Sequence, residues 1–242
     1  MTHVEERAIQ SGGTSGAAVY RMVTAALDER GLEGGTLLDV GCGRGALYGA
    51  IASRSFRYVG ADVVRHLGFP SELEFVSANL DGGRVPLSDD AVDVVVCAET
   101  IEHVENPRAL MRELVRLARP GGWVFVTTPN QLSAASLLCL VARGQFQFFQ
   151  EAPGLYPAHI TALLEIDLRR IALECGLVDV EATYSAAGRV PFSERAWPSI
   201  VCASRGVRGR AFSDNVLVCG RKDGPPHAAA ALHGAGPPST AR

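Results

Sequence analysis

Between residues 17 and 130, apolar segments of strand length alternate with segments of helical periodicity, and this alternation constrains the fold most. The strand-length segments are residues 36–40, 58–62, 73–79, 91–99 and 123–129. The segments with apolar residues at helical spacing are residues 17–30, 46–53 and 107–118. The run AVDVVVCAE at 91–99 is apolar almost throughout, which is typical of a central parallel strand covered on both faces. The pattern predicts an α/β fold: a doubly wound, mostly parallel sheet with helices on both faces and right-handed crossovers.

The pattern changes after Asn130, where we expect a cap and the last two strands. An apolar helix is predicted at 132–142, and an aromatic-rich segment follows it. A helix at 161–175 and strands at 178–185 and 214–221 complete a sheet of seven strands. The expected organisation is a flexible segment at 1–16, one domain at 17–222 with an acceptor-side cap at 131–158, and a disordered tail at 223–242.

Composition excludes several classes of function. Lys222 is the only lysine, so Schiff-base catalysis and P-loop phosphate binding, which need a lysine inside the fold, are excluded. The net charge of −3 disfavours a general nucleic-acid binder. The six cysteines form no CxxC pair, which indicates reduced thiols and no structural zinc. We find no signal-peptide pattern and no apolar run long enough to span a bilayer, and we therefore expect a cytoplasmic protein.

The segment LLDVGCGRG at 37–45 is a candidate ligand-binding loop. Its three glycines follow a strand and let a ligand approach the backbone, and the next helix offers free N–H groups. With Ala46, the same spacing also satisfies the G-x-G-x-x-A variant of the dinucleotide fingerprint, so an NAD-dependent oxidoreductase is one interpretation. Asp39 favours another interpretation, because a carboxylate here disfavours a pyrophosphate and attracts a ligand that carries an ammonium or sulfonium group.

Polar side chains also follow the next two strands. Asp62 lies twenty-one residues after Gly41, in a position to accept hydrogen bonds from ribose hydroxyls. Asn79 can accept a hydrogen bond from an exocyclic amine. The alternative is a glycine-rich turn with solvated acids at the strand ends. Three polar groups at successive strand ends favour a nucleoside-containing ligand instead.

Four linked segments resemble the class I S-adenosylmethionine-dependent methyltransferases. Within that class, the chain is most similar to the branch of the ubiquinone-biosynthesis O-methyltransferases and the type 11 and type 23 methyltransferase domains. The segments are LLDVGCGRG at 37–45, YVGADVV at 58–64, VPLSDDAVDVVVCAETIEHVENP at 85–107 and LARPGGWVFVTTPN at 117–130. The likeness is strong over 36–130 and holds in outline over 131–221.

The resemblance implies S-adenosyl-L-methionine as cofactor and carries site residues over to this chain. The cofactor residues that it implies are Asp39, Gly41, Cys42, Gly43, Gly45, Asp62, Val63, Asn79, Leu80 and Glu99. Asp39 would hold the methionine end, Asp62 the ribose, and Leu80 would lie against the adenine. The position of Asn79 is usually Asp in this family, so the acceptor oxygen is kept and the charge is lost.

A second constellation follows the fourth strand. Glu99, Glu102 and His103 would share one face if this segment were helical. With His159 they could hold Mg²⁺ or Mn²⁺, and the pattern E-x-x-E-H with a later His resembles the metal site of the small-RNA terminal-ribose methyltransferases. Without a metal, His103 or His159 could act as general base, with Glu99 beside the acceptor. Alternatively, Glu102 and His103 support the neighbouring loop.

Two further segments could contact an acceptor. Phe146, Phe148, Phe149 and Tyr156 could form an apolar lid, or pack the cap onto the sheet. The loop 186–213 carries five arginines against Glu194 and could bind a phosphate or carboxylate, or be solvated.

Together these patterns predict a methyltransferase that acts on a small-molecule acceptor, with a hydroxyl oxygen as the methyl acceptor. The resemblance favours oxygen over nitrogen or carbon. RNA ribose methylation is the nearest alternative, and the acidic pI of about 6.1 argues against it. An NAD-dependent oxidoreductase and a non-catalytic cofactor-binding protein are alternatives of other classes.

Overall fold

A computed structural model describes residues 2–150 and 158–224 of the chain. Within these residues, seven strands form one sheet in the order β3-β2-β1-β4-β5-β7-β6. The strands are β1 (Gly34–Val40), β2 (Ser55–Asp62), β3 (Glu74–Ser77), β4 (Val92–Ala98), β5 (Ala118–Pro129), β6 (Leu177–Tyr184) and β7 (Asn215–Lys222). The predicted α/β doubly wound sheet is confirmed.

The strands are parallel except β7, which runs antiparallel to both β5 and β6. In the register of the central strands, Asp39 pairs with Gly60 of β2 and with Val96 of β4. The carboxyl ends of β1, β2 and β4 therefore meet at one edge of the sheet. Ligands bind at this edge in open α/β sheets.

Seven α-helices lie in the described residues. They are α1 (His3–Gln10), α2 (Ala17–Asp28), α3 (Ala46–Ile51), α4 (Pro107–Leu117), α5 (Ala134–Arg143), α6 (Glu165–Glu174) and α7 (Gly206–Phe212). Residues of α2 and α3 pack with Leu37 and Phe125 on one face of the sheet. Residues of α4 and α6 pack with Leu38 and Val95 on the other face. This split explains why the central strands are apolar at consecutive positions. Among the described residues, no helix has both the length and the apolar character needed to cross a membrane.

Two segments contain helices that the sequence pattern does not predict. Residues 3–10 form the helix α1, where we expected a flexible segment, and Thr2 caps it by accepting from the Glu5 N–H while Glu5 accepts from the Thr2 N–H. The long loop 186–213 contains α7. Tyr156 and the expected tail beyond Gly224 lie outside the described residues.

Candidate active site

A cavity of about 660 Å³ lies at the carboxyl edge of the sheet. Its walls include side chains that end or follow β1, β2, β3 and β4, namely Asp39, Asp62, Leu80 and Glu99. Among the predicted cofactor residues, the cavity wall is formed by Asp39, Gly41, Cys42, Gly43, Asp62, Val63, Leu80 and Glu99. The sheet thus brings together residues that are up to sixty positions apart in the sequence.

The glycine-rich loop has a backbone that other residues would not tolerate. Gly41 and Gly43 have positive φ angles of 77° and 52°. A Cβ at Gly41 would lie 2.1 Å from the Thr100 Oγ1 atom, and a Cβ at Gly43 would lie 2.2 Å from the Gly13 carbonyl oxygen. Both glycines are therefore required for the loop to pack and for its backbone to face the cavity.

Asp39 places a buried carboxyl group at the end of β1. It accepts a hydrogen bond of 2.6 Å from the Tyr58 hydroxyl. Burial raises the pKa of Asp39 to about 7, and the Tyr58 hydrogen bond opposes that rise. A positively charged ligand group in the cavity would stabilise the ionised form, because few other groups compensate the charge there.

Asp62 joins the glycine-rich loop to the end of β2. Its carboxylate accepts hydrogen bonds from the Gly43 N–H at 2.9 Å and from the Val63 N–H at 2.7 Å. A carboxylate has about four lone-pair directions, so hydroxyl groups of a ligand can still donate to it. Asp62 therefore holds the loop and presents acceptor oxygens to the cavity.

Two predicted cofactor residues lie outside the cavity wall. Asn79 is exposed, and its Oδ1 accepts from the Asp81 N–H at 2.9 Å, which closes a turn. Gly45 caps the start of α3 with a left-handed backbone. Both residues shape the loops that line the cavity, and the expected contact of Asn79 with an adenine stays a prediction.

The N-terminal segment covers one side of the cavity. Arg7 of α1 lies 2.5 Å from the Asp81 carboxylate, and both residues line the cavity. The Gly13 carbonyl accepts a hydrogen bond of 2.8 Å from the Arg44 N–H. The Tyr20 hydroxyl accepts one of 3.0 Å from the Ser15 N–H. The roles of Arg7, Tyr20 and Asp81 are not recognisable from the sequence, because their contacts join distant or irregular segments that periodicity does not describe.

Glu99 is held on the cavity wall by neutral partners. Its carboxylate accepts from the Thr127 hydroxyl at 3.0 Å and from the Asn215 amide at 2.8 Å. Burial raises the pKa of Glu99 to about 7. Its φ angle of 49° is unusual for a residue with a side chain, and the 3₁₀ turn begins only at Ile101. The regular helix that would place Glu99 on one face with Glu102 and His103 is therefore absent.

In the part of the chain that the structure describes, Glu102, His103 and His159 form a group with the spacing of metal ligands. One ligand atom from each lies within 4.8 Å of the others, and Glu99 is not a member of this group. Glu102 is fully buried, and its Oε1 atom has no hydrogen-bond partner among the described residues. The His159 Nε2 atom lies 4.0 Å from that oxygen. An unpartnered buried carboxylate oxygen beside two imidazoles suits a divalent cation or a proton.

Backbone carbonyls orient both imidazole rings. The His103 Nδ1 atom lies 2.8 Å from the Ala158 carbonyl oxygen, and the His159 Nδ1 atom lies 2.8 Å from the Phe148 carbonyl oxygen. Because a carbonyl oxygen only accepts, each Nδ1 carries the proton and each Nε2 carries the lone pair. Burial lowers the pKa of both rings, to about 4 for His159. Neutral rings of this kind can accept a proton or bind a metal.

The cap and the arginine loop meet the cavity at separate points. Phe148 lines the cavity, whereas Phe146 and Phe149 do not. The Arg189 guanidinium lies 5.7 Å from the centre of the Phe148 ring and also lines the cavity. Arg205 and Arg210 instead pair with Glu29 and Glu165. Of the four aromatic residues of the predicted lid, Phe148 is the one among the described residues that lines the cavity, and Arg189 of the arginine loop lines it too.

Comparison with known proteins relates this cavity to a family. A family model described as a methyltransferase domain matches residues 17–182. The ubiquinone biosynthesis O-methyltransferase of Thiobacillus denitrificans is 33% identical over 163 residues, which cover 63% of this chain and 68% of that protein.

Other relatives match over a shorter part of their length. The ubiquinone biosynthesis O-methyltransferase of Pseudomonas paraeruginosa is 36% identical over 127 residues, and the chain spans about half of it: 48% of this chain and 53% of that protein are covered. The solved 1,6-didemethyltoxoflavin-N1-methyltransferase of Burkholderia thailandensis, with bound S-adenosylhomocysteine, has a TM-score of 0.55 at 15% identity and covers 92% of both chains. At this identity the likeness concerns the fold.

Proposed function

Because the chain belongs to the class I S-adenosylmethionine-dependent methyltransferases, we propose that it transfers the methyl group to a hydroxyl oxygen of a small-molecule acceptor. The observation that carries this proposal is the group formed by Glu102, His103 and His159. Both histidines line the same cavity as Asp39 and Asp62, so a proton acceptor lies beside the expected cofactor position. A hydroxyl group is a weak nucleophile until its proton is removed, and an imidazole of His103 or His159 can remove that proton.

The cavity fits S-adenosylmethionine in its chemistry. When bound, this cofactor supplies a methyl group activated by positively charged sulfur. Asp39 offers an anionic acceptor to the ammonium and sulfonium end, and Gly41 and Gly43 let the backbone approach it. Asp62 offers acceptor oxygens to the ribose hydroxyls, and Leu80 offers an apolar surface to the adenine.

The N-terminal segment covers the expected cofactor position, so we expect Arg7→Ala to weaken cofactor binding. The variant removes the link between α1 and Asp81 that holds this cover in place. Loss of a partly buried ion pair of this kind costs about 1 kcal/mol, or roughly fivefold in affinity. Calorimetry with S-adenosylhomocysteine measures the affinity, and stopped-flow measures its dissociation rate, which should rise. Arg112→Ala, which changes an exposed arginine of α4, is the matched control. If S-adenosylhomocysteine dissociates at the same rate from the unchanged chain, Arg7→Ala and Arg112→Ala, the proposed role of the N-terminal segment as a cover is contradicted.

The chain's own residues would align and deprotonate the acceptor. Holding the acceptor oxygen in line with the methyl group replaces a bimolecular encounter with a positioned one. His103 or His159 takes the hydroxyl proton at Nε2, since each Nδ1 is engaged with a carbonyl. Phe148 and Arg189 form the wall beside these rings. Water exclusion at this wall would favour transfer to the acceptor over hydrolysis.

Glu102, His103 and His159 also fit a divalent ion such as Mg²⁺ or Mn²⁺. The unpartnered Glu102 oxygen and the two oriented imidazoles supply a mixed oxygen and nitrogen ligand set. A bound ion would supply Lewis acidity, which makes a nearby hydroxyl group more acidic. Glu99 is omitted from this proposed set because Thr127 and Asn215 hold its carboxylate elsewhere.

The alternatives receive less support from the site. A dinucleotide would place its pyrophosphate near the Asp39 carboxylate, which disfavours the oxidoreductase interpretation. RNA ribose methylation would need a surface for the nucleic acid, and the chain carries a net charge of −3. A non-catalytic cofactor-binding protein would have no use for two oriented imidazoles beside the cofactor position.

Matched acceptor probes test the choice of atom. Phenol, catechol and aniline differ in the acceptor group on one aromatic ring, and S-adenosylmethionine with a ¹³C-labelled methyl group reports the product. We expect a labelled methyl on oxygen, with catechol favoured over phenol if a metal is involved, and no product from aniline. As the control, Asp39→Asn should lower the signal at a cofactor concentration below saturation, because it weakens cofactor binding. A methyl group found on nitrogen or carbon, with none on oxygen, would overturn the proposal.

A further inference from the structure

The surface formed by α5, α7 and the loop between residues 190 and 201 exposes many apolar side chains. Val141 of α5 is 86% exposed, and Ile200 and Val207 are each 80% exposed. Leu137, Leu138 and Phe192 are also exposed. Isolated exposed apolar residues are ordinary, but six on neighbouring segments point to a binding surface. We call this the α5–α7 surface.

The three segments form one continuous surface. Helices α5 and α7 contact each other. The Arg143 guanidinium at the end of α5 lies 5.5 Å from the centre of the Phe192 ring, which joins α5 to the loop. The buried face of α5 is formed by Ala135, Ser136 and Cys139, so its leucines and Val141 point away from the core. The α5–α7 surface is therefore an outward apolar face and not an extension of the core.

The charge of this surface is positive, although the whole chain carries −3. Between residues 186 and 213 there are five arginines and one acidic residue, Glu194. Arg189, Arg205 and Arg210 pair with acidic residues outside this segment, which leaves Arg195 and Arg208 beside Arg143 of α5. Arg143 donates to the Gln150 Oε1 atom and Arg208 to the Val201 carbonyl, and neither bond neutralises the guanidinium charge. Both arginines are exposed beside the apolar residues.

We propose that the α5–α7 surface docks on an anionic lipid bilayer. Apolar side chains interspersed with arginines match the acyl boundary and the negative headgroups of such a membrane. A second copy of the chain would bring like charges together across a self-complementary contact. A nucleic acid would need several stacking side chains, whereas five of the six exposed apolar side chains of this surface are aliphatic. Ala196 of this loop and Arg189, which directly precedes it, line the cavity, so docking would hold one wall of the cavity at the membrane.

Vesicle sedimentation of the full chain tests this proposal without cofactor or acceptor, so its result is independent of the methyl-transfer proposal. Two vesicle types are compared at low salt: phosphatidylcholine alone, and phosphatidylcholine mixed with phosphatidylglycerol. We expect binding to the mixed vesicles, weak binding to the neutral ones, and loss of binding at high salt. Val141→Glu with Val207→Glu should reduce binding roughly tenfold or more, and so should Arg143→Gln with Arg208→Gln.

The controls change similar side chains elsewhere. Leu173→Glu alters an apolar residue of α6 that is 57% exposed, and Arg112→Gln removes an exposed arginine of α4. Both should bind vesicles like the unchanged chain, and thermal unfolding checks that every variant folds. Three outcomes would each overturn the proposal. They are equal vesicle binding by all variants, absence of binding to anionic vesicles, and a dimer that Val141→Glu dissociates when the chain binds no vesicles.

Discussion

Asp39→Asn should weaken S-adenosylhomocysteine binding by about 10- to 100-fold while leaving the fold intact. The change removes the negative charge from the cavity wall but keeps an oxygen that can accept from the Tyr58 hydroxyl. Hydrogen bonds to a charged group contribute about 1.5–3 kcal/mol, which corresponds to this range of affinity. Calorimetric titration at pH 8 measures the effect, because most of Asp39 is ionised there.

The same variant should not lower stability, and this outcome separates a binding role from a structural one. The pKa of Asp39 in the folded chain, about 7, lies above its ordinary value, so the folded state holds the proton more tightly than the unfolded state. Ionisation therefore destabilises the fold, and stability falls as the pH rises from about 4 to about 7. At pH 8 the Asn variant avoids this cost, and we expect its melting temperature to rise by about 2 °C or more.

The pH dependence of binding gives a second check on Asp39. Affinity of the unchanged chain for S-adenosylhomocysteine should decrease as the pH falls below about 7, because Asp39 becomes protonated. Asp39→Asn should show a flatter profile. Tyr58→Phe removes the hydrogen bond that lowers the pKa of Asp39, so its affinity should begin to fall at a higher pH. If Asp39→Asn bound S-adenosylhomocysteine as tightly as the unchanged chain, the proposed contact of Asp39 with the cofactor would be contradicted.

His159→Gln should reduce turnover of the hydroxyl probe by at least about 100-fold while S-adenosylhomocysteine affinity stays within twofold. The ring packs on His103, and its Nε2 atom lies 4.0 Å from the Glu102 carboxylate, so we expect its loss to affect deprotonation of the acceptor and not cofactor binding. His103→Gln should behave in the same way. Single-turnover kinetics with saturating cofactor measures the chemical step directly.

Metal removal distinguishes the two mechanisms that this site allows. If a divalent ion assists, the EDTA-treated chain loses activity, Mn²⁺ restores it, and Glu102→Gln abolishes the Mn²⁺ binding isotherm. If an imidazole acts alone, activity survives EDTA and no Mn²⁺ binds. Glu174→Gln, which changes an exposed carboxylate of α6, is the control for loss of an acidic group. Turnover that persists in both histidine variants would exclude this group from catalysis.

Local sequence patterns were sufficient to predict the sheet and the glycine-rich loop. Strands such as β4 were recognisable because a central parallel strand is covered on both faces and is therefore apolar at consecutive positions. The loop at Gly41 and Gly43 was recognisable because only glycine fits its backbone. In the structure, a Cβ at Gly41 would collide with Thr100, and a Cβ at Gly43 would collide with Gly13. The family resemblance and the matched methyltransferase domain agree with these patterns. The division into an N-terminal segment, a domain and a tail stays a prediction.

Only the tertiary structure decided how the candidate site is assembled. The condition under which Glu99 would share a helical face with Glu102 and His103 is not met, since the left-handed backbone of Glu99 turns its carboxylate toward Thr127 and Asn215. Arg7 and Asp81 are 74 positions apart, and no spacing rule predicts that α1 covers the cavity. His103 meets the carbonyl of Ala158, 55 positions away. Periodicity reports which face of a segment is buried, whereas these contacts depend on how separate segments pack, and that is a property of the folded chain.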